Sequence, residues 1–89
     1  MLWSDIRMLY PGKWLIIEAL DAYTNENNQR KLKDIAIIEI CSNNLSVMKS
    51  YKELHKEYPQ REFYYVHTNK EDLDIREKRW VGIRSGYGN

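Results

Sequence analysis

The sequence predicts an α+β fold: a mainly antiparallel sheet of three to four strands in the order 2-1-3-4, with one long helix on one face and a short helix at the N-terminus. Three runs, residues 14–20 (WLIIEAL), 35–40 (IAIIEI) and 63–67 (FYYVH), are apolar or aromatic and bounded by polar turn residues, which is the pattern of strands. Between the second and third lies one amphipathic helical pattern. The first run is apolar on both of its alternating faces, so it belongs in the interior of the sheet.

The elements follow in order. Leu2, Ile6 and Leu9 have the i, i+4, i+7 spacing of a short helix that Ser4 could cap, and Pro11 and Gly12 end it. The first strand is expected over residues 13–23, with Leu15, Ile17 and Ala19 on one face and Trp14, Ile16, Glu18 and Leu20 on the other. Residues 25–28 (NENN), continuing through Gln29, Arg30 and Lys31, form the hairpin loop. The second strand returns over 32–41 and pairs antiparallel with the first, because consecutive strands joined by a short polar loop are usually neighbours.

Ser42, Asn43 and Asn44 supply cap chemistry for a long helix running to about Tyr58. Val47, Tyr51, Leu54 and Tyr58 form its apolar stripe, and Pro59 stops it. Arg61 opens the third strand. Residues 68–71 (TNKE) fit a capping box, which predicts one helical turn around 71–73. A fourth strand is expected over 79–84 (RWVGIR), paired with the third. The domain is expected to span residues 1–84, with 85–89 (SGYGN) as a flexible tail.

Counting faces gives the main functional expectation. One long helix covers one side of the sheet, and the short N-terminal helix supplies only part of the cover that the other side needs. The sequence therefore predicts a non-enzymatic interaction module that self-associates through the sheet as a homodimer.

Composition narrows the alternatives. The 89 residues carry 14 Lys and Arg against 13 Asp and Glu, a formal net charge of +1, so no whole-molecule field draws the protein to nucleic acid or to an anionic membrane. The longest apolar run is far shorter than the roughly 20 residues that span a bilayer. The single cysteine forms no internal disulfide, and the N-terminus has no basic segment followed by an apolar one. A cytoplasmic location is the expectation, with no membrane partner.

The residues that could carry chemistry are few. His55 on the helix stripe reads as a packing residue, whereas His67, at the end of an aromatic strand, is the better pocket candidate. Cys41 ends a strand and behaves as a small buried hydrophobe unless a base or helix N-terminus activates it. Glu18, Asp21 and Glu39 invite comparison with a small metal-dependent nuclease, but the Glu-x-Lys such a site uses is missing, since Ile40 and Cys41 follow Glu39. The simpler reading is that each strand glutamate marks an exposed patch near a strand end or pairs with Lys13, Lys33 or an arginine. No Gly-rich phosphate loop is present, and no cofactor is expected.

The candidate interaction surface is Trp14, Phe63, Tyr65, His67, Arg79 and Trp80. Its second use would be single-stranded nucleic acid, RNA above all, stacked on the aromatic strand and held by the C-terminal arginines.

Residues 10–14 (YPGKW) open an apolar strand that is followed by a second strand, a helix and a third, aromatic strand. In this, residues 10–67 resemble small uncharacterised prokaryotic domains with a Gly-Lys-Trp strand opening. The resemblance supports the fold class and implies no function and no site residues.

Overall fold

The computed structural model describes residues 1–76. In chain order the elements are α1 (Trp3–Leu9), β1 (Trp14–Thr24), β2 (Arg30–Cys41), α2 (Asn44–Glu57) and β3 (Phe63–His67). The fold is α+β, with a three-stranded antiparallel sheet of order β2-β1-β3 and two helices. The sheet described has three strands, and the fourth strand expected over 79–84 lies outside the described residues. So do the domain limit at residue 84 and the tail at 85–89.

The central position of β1 follows from its two apolar faces. Leu15, Ile16 and Ile17 are all fully buried although they alternate in direction. Leu15 and Ile17 pack with Ile6 and Ile35, and Ile16 packs with Cys41, Val47 and Phe63. The described residues thus form two cores, one on each side of the sheet.

Each core has its own helix, which corrects the expectation of one long helix as the principal cover. On one face α2 lays Val47, Met48, Tyr51 and Leu54 over Ile16 and Phe63. Its N-terminus is capped by Asn43, whose side chain accepts the Ser46 N–H at 2.9 Å. On the other face α1 inserts Ile6, with Trp3 and Tyr10 beside it. This helix starts one residue before Ser4: Leu2 is its N-cap and offers no side-chain bond. Gly12 then turns the chain with φ of 66°, a conformation that suits glycine, into β1.

A second correction concerns residues 68–76. No helical turn forms around 71–73, because the Thr68 hydroxyl that would cap it accepts the Lys13 N–H instead, at 2.9 Å. Thr68 is buried. From there the chain runs as an irregular strap beside α1: the Trp3 indole donates to the Lys70 carbonyl, the Arg7 guanidinium donates to the Thr68 carbonyl, and Leu73 joins the core beneath. At Ile75 and Arg76 it lies against the hairpin, where the Arg30 N–H donates to the Ile75 carbonyl and Gln29 bridges Arg76.

The hairpin itself bends. Pairing with β3 covers β1 only from Trp14 to Glu18. Thr24, paired with Arg30, is six residues further on, about 20 Å along an extended strand. Register shifts on either side of Asp21 increase the local twist. They let the hairpin curl over the α1 side until the Arg30 guanidinium reaches Glu62, just before β3. On the sheet face expected to be open, α1, the strap and the curled hairpin thus cover Leu15, Ile17 and Ile35.

Candidate functional site

Four of the sequence candidates, Trp14, Phe63, Tyr65 and His67, fall along one side of the molecule, where β3 meets α2. Phe63 is the innermost, only 4% exposed, with the Arg61 guanidinium 4.8 Å above its ring. Next along the strand Tyr65 is 41% exposed and meets Tyr51 of α2 edge to face, with ring centroids 5.1 Å apart. Tyr51 in turn stacks on His55 at 5.9 Å, the rings within 5° of parallel. At the end of β3, His67 packs edge-on against Trp14 at 5.0 Å, both half-buried. The His67 Nδ1 accepts the Asn69 N–H at 3.1 Å. Trp14, Tyr65 and His67 thus form part of one aromatic band, while Phe63 lies under it. Arg79 and Trp80 lie outside the described residues.

Tyr51 and His55 join this band without having been named as interaction residues from the sequence. Their i, i+4 spacing was legible, but it read as the helix stripe, and only the contact between Tyr51 and Tyr65 shows that the stripe continues outward past the core. A cleft of about 210 Å³ beside β3 is lined by Tyr51, Tyr64, Tyr65, Lys70 and Leu73 among others. A wider one, about 660 Å³, lies between α1, the strap and the hairpin, with Trp3, Lys31, Leu32, Asp72 and Asp74 on its walls.

The two strand glutamates have separate partners. Glu18 takes a two-pronged contact from Arg61, at 2.9 and 2.6 Å, and this guanidinium holds its carboxyl below the usual carboxylate range. The reading that paired it with an arginine is thereby met. Glu39 accepts the Ser50 hydroxyl at 2.9 Å and the Cys41 thiol at 3.4 Å. Asp21 is paired across the hairpin with Asp34. Among the described residues no group of three or more His, Cys, Asp and Glu side chains is placed to hold a metal ion. Cys41 is buried, and its burial, reinforced by Glu39, pushes the thiol pKa up, away from the thiolate that a nucleophile needs.

A third polar cluster was not anticipated. Glu62 accepts from Arg30 at 2.8 and 2.9 Å and from the Tyr64 hydroxyl. The guanidinium holds the Glu62 carboxyl below its usual range, and burial followed by the hydrogen bond to Glu62 raises the Tyr64 phenol above its own. The cluster locks the hairpin curl to the start of β3. No sequence spacing links Arg30 to Glu62, so nothing short of the fold could have paired them.

Comparison with family models, with curated proteins and with solved structures finds no match for this chain. No helix among the described residues is long and apolar enough to cross a membrane.

Proposed function

We propose that the protein is a non-enzymatic interaction module that self-associates through an edge of its sheet. The chain's own helices and strap bury Leu15 and Ile17 on one sheet face and Ile16 on the other, which leaves the rim of the sheet as the surface for a second copy. The observation that supports it is the outer edge of β2. Among the described residues this strand pairs with β1 alone, and its other side meets Met1 at Ile35 and Ile75 at Arg30. Among the described residues none gives 36–41 such cover, and an unpaired strand edge is a template for another strand. Ile40 in this stretch is 49% exposed, and Leu45, in the first turn of α2, is 80% exposed.

Two copies related by a twofold axis would join these stretches antiparallel and extend the three-stranded sheet to six strands. A contact this short buries less than the roughly 1,200 Å² of a standard interface, so the dimer is expected to be weak and concentration-dependent. Light scattering across a concentration series tests it. The expected result is a rise in mass towards twice the 10.8 kDa of the chain, abolished by Ile40→Lys, which places a charge on the edge. A mass that stays at 10.8 kDa up to about millimolar concentration overturns the proposal.

A further inference from the structure

We infer that the aromatic band where β3 meets α2 binds single-stranded nucleic acid. Three observations meet at this surface. The first is the aromatic sequence itself: His67 on Trp14, and Tyr65 against Tyr51, which stacks on His55. Tyr65 and His55 are exposed, so ring surface reaches solvent at the level where a base would stack.

The second is the segregation of charge on α2. Successive steps of 100° from Tyr51, the residue that touches β3, place His55, then Lys52 and Lys56, progressively outward on that flank. Glu53 and Glu57 fall on the opposite flank. The helix thus presents an aromatic ledge with a basic rim on one side and keeps its acids on the other.

The third is Lys70, exposed on the strap, which lines the cleft beside Tyr65 and Tyr51. Among the described residues neither Lys52, Lys56 nor Lys70 has a carboxylate within ion-pair distance. Among the described residues Asp74 is the acid that lines this cleft, and Arg76 stands 3.7 Å from it. Rings flanked by ammonium groups that form no ion pair among the described residues match a polymer of bases on a phosphate backbone. The near-neutral net charge confines this attraction to the local surface. A duplex, whose bases are already stacked, cannot use the rings.

Fluorescence anisotropy of the full chain with a labelled single-stranded oligonucleotide, and with its duplex, tests the inference. The single strand is expected to bind more tightly. With Lys52, Lys56 and Lys70 each neutralising one phosphate, log K is expected to fall with log salt at a slope of about −2. Tyr65→Ala should weaken binding about 5-fold or more, and Tyr65→Phe, which keeps the ring, should not. The double change Lys52→Ala with Lys56→Ala should reduce the slope to about −1. Circular dichroism on each variant separates lost binding from lost fold. Absence of binding at low salt, equal affinity for duplex, or equal binding by folded Tyr65→Ala and the unmodified chain overturns the inference. The oligomeric state is read separately, so this result stands apart from that of the edge proposal.

Discussion

Arg30 and Glu62 meet as a two-pronged ion pair, at 2.8 and 2.9 Å, between the first residue of β2 and the residue just before β3, two strands that do not touch in the ladder. Their contact is possible only because the hairpin curls. The pair therefore holds a tertiary bend rather than a local one, and Tyr64 adds its hydroxyl to the same carboxylate. Side-chain exposures of 25% and 30% put it between the surface and interior cases.

Removing one partner leaves the other charge half-buried and unpaired. Glu62→Gln is expected to cost about 1–3 kcal/mol, and Arg30→Met, which keeps the length of the side chain and loses the charge, about the same. The double variant should cost less than the sum, because the two changes delete one interaction. Urea unfolding of the four proteins measures this. Strict additivity would show that the pair does not hold the curl.

The same cluster sets a pH dependence with a definite sign. Arg30 holds the Glu62 carboxyl below its ordinary value, so the unfolded chain takes up the proton first as pH falls. The stability this contributes is present above the unfolded value of about 4.3 and is lost as pH drops through the folded one. Tyr64 acts at the other end: its phenol is raised, so its contribution is present below the unfolded value of about 10 and declines as pH rises beyond it. Glu62→Gln should flatten the acid limb of a plot of urea midpoint against pH. An unchanged acid limb would place the acid sensitivity elsewhere, with Glu18 and its Arg61 partner the next candidate.

How far the fold was legible follows from which signals are local. The doubly apolar run around Ile16 marked β1 as central, and the Asn43 cap with the Val47 to Leu54 stripe placed α2, because each depends on neighbours within one element. The cover on the other face was underestimated, although the short N-terminal helix was expected, because it comes from pieces that are individually weak. A seven-residue helix contributes one buried side chain, Ile6, and the strap contributes Leu73 without any regular structure. Thr68 read as a cap because its spacing to Glu71 fits one; its hydroxyl goes to Lys13, 55 residues away in sequence. For the candidate surface, Tyr65 and His67 were visible as alternate strand residues, whereas the shielding of Phe63 by Arg61 depends on a loop no periodicity describes.

If α1 is a true cover, its residues must differ sharply in cost. Ile6 is fully buried between α1 and the Leu15, Ile17 and Ile35 side chains, so Ile6→Ala should cost about 2–5 kcal/mol. Met8 on the same helix is exposed, and Met8→Ala should lie within about 0.5 kcal/mol of the unmodified chain. Thermal or urea unfolding distinguishes them. Similar small effects at both positions would mean that the helix is not docked in solution, and the sheet face beneath it would again be open to a partner.

Cys41 gives a probe of the opposite core. Its side chain is buried with Ile16, Val47 and Phe63 beneath α2, and burial raises its thiol pKa, so both access and thiolate fraction are reduced. Modification by an aromatic disulfide reagent at about pH 8 should therefore be slow in the native protein and fast once urea unfolds it. The native rate then reports how often α2 lifts from the sheet. Val47→Ala, which removes a fully buried contact from the same core, should raise that rate in proportion to the stability lost, as long as opening and closing are fast relative to modification. Rapid native labelling, unaffected by Val47→Ala, would show instead that the thiol is reached without opening the core.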